Sequence, residues 1–176
     1  MSPYKVVLAL VLASCLVACR GDGRNANQIG ALEADSIVLE RAQCLGPCPA
    51  YRLRINDRGK IQFQSRNAAG ESRVASGSMS IAAVQELLEE ARRIGVNDFP
   101  DRKISDDIAC PVHATDMPNI VLSIHWKQGT KRLEYYTACF TTRLEPMPET
   151  QAVRKFAAAI DTAAGSARWL PPTPEW

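Results

Sequence analysis

The feature that most constrains the fold of this chain is a short segment in which two cysteines flank a glycine–proline turn. Residues 44–51 have the sequence Cys-Leu-Gly-Pro-Cys-Pro-Ala-Tyr. Residues 51–55 then alternate between apolar and charged side chains, which is typical of a half-buried β-strand. The segment therefore predicts a tight turn that leads directly into a strand.

The N-terminus has the layout of a bacterial export signal. Lys5 precedes an apolar run at residues 6–12, which is too short to span a bilayer as a permanent helix. Residues 16–19, Leu-Val-Ala-Cys, resemble the lipobox of bacterial lipoproteins. This resemblance implies a signal peptide at residues 1–18 and lipid attachment, including palmitate, at Cys19. Residues 12–15 fit the same pattern, so Cys15 is the alternative lipidation site.

A lipidated cysteine implies anchoring to a membrane, because several acyl chains together hold a protein stably at a bilayer. Arg20, and not an aspartate, follows Cys19, which resembles the default signal for the outer membrane. We therefore expect a periplasm-facing protein of the outer membrane, with the inner membrane as the alternative. Residues 19–34 are rich in Gly, Asn and Ala and predict a flexible tether between the lipid and the domain.

Length and charge narrow the range of functions. The chain has 176 residues and a formal net charge of +2, which favours one domain and gives no sign of a surface for polyanions. We expect no nucleic-acid partner and no cofactor. The sequence lacks the common motifs for nucleophilic catalysis, phosphate binding or haem attachment, so a catalytic role is disfavoured.

The order of predicted elements indicates an α+β fold. Four strands are expected between residues 36 and 77, followed by an amphipathic helix with Ser80 as its N-cap and Gly95 at its end. Two further strands flank a turn at residues 127–130, and a second helix ends at Gly165. Tight hairpins imply an antiparallel sheet, with the helices packed on one face. This domain is expected to cover residues 35–170, before a proline-rich tail at residues 171–176.

Four cysteines follow the predicted lipidation site, and their even number indicates disulfides. Cys44, Cys48, Cys110 and Cys139 would all lie in an oxidising compartment after export. Two bridges would use all four cysteines, with three possible connectivities.

With these residues assembled, the chain resembles an uncharacterised bacterial family, the domain of unknown function 6438. The matching positions are Cys44, Gly46, Cys48, Pro49, Tyr51, Gly59, Thr115, Asp116, Pro118, Ile160, Asp161 and Trp169. The resemblance implies that Cys44 and Cys48 pair as a unit, which leaves Cys110 to pair with Cys139. It also marks Tyr51 and Asp116 as candidate functional residues, although it implies no activity, and a role in a turn or a cap is the favoured interpretation of Asp116.

Two chemical roles for Cys44 and Cys48 compete with a purely structural bridge. A thiol-redox site is disfavoured, because the predicted strand after the motif offers no helix N-terminus to stabilise a thiolate. The spacing C-x-x-x-C-P also resembles the copper motif of Sco-type assembly proteins, in which a histidine completes the site; His113 or His125 would be that ligand here. The favoured interpretation is a non-catalytic binding or structural module of the cell envelope with an envelope protein as partner. The alternative is metal binding or thiol redox chemistry.

Overall fold

The computed structural model describes residues 34–45, 48–66, 70–103 and 110–170. Within these residues, four strands precede helix α1, five strands follow it, and helix α2 comes last. The helices are α1 (Ile81–Arg93) and α2 (Pro148–Ala164). The strands are β1 (Ala34–Arg41), β2 (Tyr51–Asn56), β3 (Lys60–Arg66), β4 (Ser72–Ser78), β5 (Arg102–Lys103), β6 (Val112–His113), β7 (Asn119–Trp126), β8 (Gly129–Tyr136) and β9 (Cys139–Phe140).

The main sheet has seven strands in the order β4-β3-β2-β1-β7-β8-β5. Every neighbouring pair is antiparallel except β5, which pairs in parallel with β8. Strands β6 and β9 form a separate antiparallel pair. The predicted antiparallel α+β fold is confirmed. The sequence did not predict that β1 lies between β2 and β7 and pairs with both.

The core lies between the two helices and one face of this sheet. Leu39 in β1 is paired with Leu53 of β2 on one side and with Leu122 of β7 on the other. Apolar side chains at alternate positions of these strands therefore lie on one face of the sheet. Helix α1 adds Val84, Leu87, Leu88 and Ala91 to this cluster, and α2 adds Val153, Phe156, Ala157 and Ile160. Because both helices contribute to one cluster, the prediction that they pack on one face is confirmed.

Local sequence signals begin and end the elements as expected. The Oγ atom of Ser80 accepts a hydrogen bond from the backbone N–H of Ala83 at 3.1 Å, which caps α1. Gly59 closes the hairpin between β2 and β3 with a φ of 73°. A side chain there would place its Cβ 2.2 Å from the carbonyl oxygen of Met79, so both conformation and space require glycine.

Some details of the fold differ from the predictions. The stretch expected to be irregular between residues 97 and 118 contains β5 and β6, which are two residues long and have no sequence period to reveal them. Ala34, assigned to the tether, belongs to β1 and is buried. The signal peptide, the rest of the tether and the tail lie outside the described residues, so their boundaries stay predictions. Among the described residues, no helix has the length and apolar character needed to span a membrane.

Candidate functional site

The segment between β1 and β2 is a turn bridged by a disulfide. Cys44 and Cys48 are bonded, with their Cα atoms 5.5 Å apart. Arg41, the last residue of β1, pairs with Tyr51, the first residue of β2. The turn therefore leads into a strand and not into a helix, so no helix dipole is available to lower the pKa of a Cys44 or Cys48 thiol. This arrangement matches the structural interpretation of the motif.

A group of polar side chains connects the two strand ends at this turn to the last turns of α2. We call Arg41, Tyr51, Asp161 and Ser166 the Asp161 cluster. The guanidinium of Arg41 donates from Nε and Nη2 to Asp161 Oδ2 at 2.9 and 2.7 Å. The hydroxyl of Tyr51 donates to Asp161 Oδ1 at 2.5 Å, and Ser166 Oγ donates to the same oxygen at 2.9 Å. Both oxygens of this carboxylate are therefore occupied by donors from within the domain.

The electrostatics of the Asp161 cluster favour a fixed structural role. Burial, together with the hydrogen bond to Asp161 and its negative charge, raises the pKa of Tyr51 well above 10.0. Burial alone would lower the pKa of Arg41, but the charge of Asp161 and the hydrogen bonds to Asp161 and Tyr51 together offset this and raise the pKa of Arg41. Tyr51 therefore stays neutral and Arg41 stays charged at ordinary pH. A protonated phenol held by a carboxylate is a poor general base, and the bonds of the cluster join the ends of β1 and β2 to α2.

Aromatic packing extends from this cluster toward the C-terminal residues. The ring of Phe63 lies between those of Tyr51 and Trp169, with centroid distances of 5.3 and 5.2 Å. Three residues that matched the resembled family at distant points of the chain, Tyr51, Asp161 and Trp169, are thus gathered in one region. Arg41 was not predicted. The sequence feature that could have identified Arg41 is its position in β1. It lies two residues after Leu39 and four after Ile37, so its side chain is on the same, inward side of the strand.

The second disulfide joins Cys110 to Cys139, which is the pairing that the sequence analysis favoured. Both residues are buried, at 0% and 1% exposure. His113 pairs with Cys139 across β6 and β9. Pairing of two strands across the predicted turn at residues 127–130 would put Cys139 about opposite Pro118, but the Pro118 carbonyl accepts from the backbone N–H and the hydroxyl of Thr137 at 3.2 and 2.8 Å. The two-residue difference arises because the β7–β8 hairpin turns over residues 127–128, with Trp126 paired to Gly129, and not over the four residues 127–130 that were predicted.

Asp116 lies apart from the Asp161 cluster, in the loop between β6 and β7. It has a φ of 65° and an exposed side chain, and it forms no hydrogen bond or ion pair among the described residues. Tyr136 holds the surrounding loop, since its hydroxyl donates to the carbonyl of Ala114 and accepts from the N–H of Met117. Aspartate tolerates the left-handed region better than most residues. A turn-forming role is therefore sufficient to account for Asp116.

The structure does not bring the proposed copper ligands together. His125 lies on β7 opposite Ser36, whereas Ile120 of β7 pairs with Arg41 beside the disulfide turn; five strand residues span about 17 Å. The ring of His113 packs edge-on against Tyr136. Cys44 and Cys48 are bonded to each other and so carry no thiolate for Cu(I). The described residues contain no group of three or more His, Cys, Asp or Glu side chains placed to hold a metal ion.

The other face of the sheet, which neither helix covers, carries a cleft. We call this cleft, of about 500 Å³, the basic cleft; eight residues of β2, β3 and β4 line it. Two of them, Phe63 and Ala75, direct their side chains to the core. The six with outward side chains are Arg52, Arg54, Gln62, Gln64, Val74 and Ser76. The register places Arg52, Gln64 and Val74 in one row across the strands and Arg54, Gln62 and Ser76 in the next. All six side chains are exposed.

Few of these polar groups are engaged within the domain. Arg52 forms an ion pair with Glu40 at 3.7 Å, in which both side chains are about half exposed; such surface pairs are weak. Arg54, Gln62, Gln64 and Ser76 form no side-chain hydrogen bond or ion pair among the described residues. The alternation at residues 51–55 predicted a half-buried strand, and no binding surface was predicted at the positions that line the cleft. The sequence feature that could have identified this surface is the polar half of the same alternation. Polar residues at alternate positions of neighbouring strands point outward and therefore share a surface.

Comparisons with known proteins identify a family. No curated protein matches this chain. The family profile for Domain of unknown function (DUF6438) matches residues 35–163, which include the disulfide turn, the β2–β3 hairpin and Asp161. Since this match spans most of the chain and nearly the whole described domain, the chain belongs to the DUF6438 family.

Proposed function

We propose that this chain is a lipid-anchored protein of the bacterial cell envelope whose domain is a non-catalytic binding module. In this proposal Cys19 carries the lipid, the protein faces the periplasm from the outer membrane, and the basic cleft is the surface that contacts an envelope partner. The two disulfides support the location, because such bridges persist in oxidising compartments and are rare in the cytosol.

The observation that carries the binding role is the contrast between the two faces of the sheet. The inner face is filled by α1 and α2, whereas the outer face of β2–β4 exposes Arg54 and two glutamines, whose side chains find no partner in the described domain. Arginine is enriched in protein–protein interfaces relative to the rest of the protein surface. The Asp161 cluster supports a structural assignment for the turn, because its carboxylate is already saturated by donors.

Site-specific photo-crosslinking in living cells tests this function. A benzophenone amino acid is placed at Gln64, which lines the basic cleft, and as a matched control at Glu86, which is exposed on α1. We expect a discrete covalent adduct from position 64 that is missing from position 86. No adduct at position 64, or the same adducts from both positions, would overturn the assignment of the cleft as the binding surface.

A further inference from the structure

The basic cleft has a regular geometry that limits what it can bind. Arg52 and Arg54 are separated by one inward residue, so their Cα atoms lie about 7 Å apart along β2. Gln64 and Gln62 stand opposite them on β3 with the same separation. The cleft therefore presents two guanidinium groups on β2 and two amides on β3. Within each strand the two groups are two residues apart.

The charge of this face selects an anionic occupant. The outward positions of β2, β3 and β4 carry Arg52, Arg54, Lys60 and Arg66, all exposed. Among the described residues of these three strands, no acidic side chain points outward. Glu40 on β1 offsets part of the charge of Arg52, whereas Arg54 has no ion-pair partner in the described domain. Arginine forks match carboxylates through two parallel hydrogen bonds.

The glutamines indicate which anionic ligand fits best. A side-chain amide both donates and accepts hydrogen bonds, so Gln62 and Gln64 can satisfy the N–H and C=O groups of a peptide backbone. A phosphodiester group has acceptor oxygens only, so it would pair with the amide N–H groups and leave the amide oxygens unmatched. Alternate side chains of an extended peptide lie on one side at a spacing of about 7 Å, which equals the spacing of the two arginines.

We propose that the basic cleft binds an extended acidic segment of a partner protein, with carboxylates at alternating positions on Arg52 and Arg54. This inference rests on the proposed function of the cleft as a binding surface. The segment lies along β2 and β3, its carboxylates bond to the guanidinium groups, and its backbone bonds to the two glutamines. Val74, which is 76% exposed, offers an apolar contact at the rim.

Peptides of equal charge test the spacing. The full chain is purified in a nonionic detergent, and fluorescence anisotropy at low salt measures its affinity for labelled Ser/Thr decapeptides with two glutamates. In one peptide a single residue separates the glutamates, and in the other two residues separate them. Only the first places both carboxylates on the same side of an extended chain. We expect it to bind at least about fivefold more tightly, because only it engages both arginines.

Substitutions on the same face test the residues. Arg54→Gln should weaken binding of the first peptide about tenfold, the effect of losing a charge-assisted pair. Arg132→Gln is the matched control, because Arg132 lies outward on β8 and is bonded to Glu134 at 3.2 Å; it should leave the affinity unchanged within about twofold. An unchanged melting temperature in both variants verifies that each is folded.

Three results would overturn the inference. These are equal affinity for both peptides, an affinity that Arg54→Gln does not change, or binding to phosphatidylglycerol vesicles that depends on Arg54 while neither peptide binds. The last result would assign the cleft to a membrane surface. A crosslinked partner at position 64 together with any of these results would leave the proposed binding function standing and reject only the acidic peptide.

Discussion

At the residue scale, Tyr51 connects the disulfide turn to the rest of the domain. Its ring packs on Phe63 in the core, while its hydroxyl bonds to Asp161 and accepts from Arg41 Nε at 2.9 Å. A residue that is 7% exposed and also satisfies two charged groups contributes both apolar burial and polar pairing. Its replacement should therefore separate these two contributions.

Tyr51→Phe keeps the ring and removes the hydroxyl. At neutral pH we expect the free energy of unfolding to fall by about 1–3 kcal/mol, because Asp161 loses a donor in a poorly solvated site. The raised pKa of Tyr51 adds a pH dependence. Its contribution is complete below the unfolded pKa of 10.0 and is lost as the pH rises toward the higher folded value.

Urea unfolding between about pH 9 and pH 11 checks this dependence. The parent protein should lose up to about 1.4 kcal/mol per pH unit through Tyr51 above its unfolded pKa, and Tyr51→Phe should decline less steeply. Some decline persists in both proteins, since burial and the charges of Glu149 and Asp101 raise the pKa of Tyr135 to about 12. Identical slopes would contradict the proposed protonation state of Tyr51.

At the element scale, α1 shows how one amphipathic stripe attaches a helix to a sheet. Its apolar residues recur at helical spacing, and Val84, Leu87, Leu88 and Ala91 are buried. The exposed side carries two ion pairs between residues three apart, Glu89 with Arg92 and Glu90 with Arg93. Such exposed pairs contribute little, so the stripe supplies most of the attachment.

Leu87→Ala should therefore lower the free energy of unfolding by about 2–5 kcal/mol, as expected for a buried leucine that leaves a cavity. Glu86→Ala is a suitable control, because Glu86 precedes Leu87 on the exposed side of α1 and should have an effect below about 0.5 kcal/mol. Chemical denaturation of both variants measures the difference. An effect of similar size in both would argue against burial of the stripe.

At the scale of the whole molecule, two disulfides close loops of very different length. Cys44 and Cys48 are four residues apart, and Cys110 and Cys139 are 29 apart. On the chain-entropy estimate, these bridges stabilise the fold by about 2 and about 3–4 kcal/mol, respectively. The longer bridge also ties β6 and its loop to β9.

Replacing Cys110 and Cys139 together with alanine should thus lower the free energy of unfolding by about 1–2 kcal/mol more than replacing Cys44 and Cys48. Amide hydrogen exchange should increase first around residues 110–118, before the main sheet is affected. Equilibrium denaturation of the two double variants makes the comparison. A larger loss in the Cys44/Cys48 variant would show that the short turn orders more of the molecule than its loop length implies.

Membrane anchoring also belongs to this scale. Cys19→Ala should release the protein from membranes or block its processing, because the proposed acyl chains would have no attachment site. Labelling with palmitate and fractionation of membranes measure the result, and Cys15→Ala is the matched control. Palmitate incorporation that persists in Cys19→Ala and disappears in Cys15→Ala would move the lipid to Cys15.

The sequence was sufficient to predict features that depend on neighbours along the chain. The alternation in β2 and β3, the stripe of α1, the cap at Ser80 and the glycine turn at Gly59 are all consequences of local geometry. The second helix and its end at Gly165 belong to the same class. The short strands β5, β6 and β9 escaped prediction because two residues show no periodicity.

For the Asp161 cluster and the basic cleft, too, the sequence predicted local features and the tertiary structure decided which residues lie together. The sequence identified Tyr51 and the paired cysteines, and the family resemblance marked Asp161, but no local signal joins Asp161 to Arg41 across 120 residues. That contact exists because β1 pairs with β2 and the last turns of α2 lie close enough for Asp161 to bond to Arg41 and Tyr51. The alternation of Arg52 and Arg54 was visible in the sequence. Only the register of β2, β3 and β4 decided that these arginines share one cleft with two glutamines, because side-chain periodicity sets which face a residue occupies and strand pairing sets its neighbours.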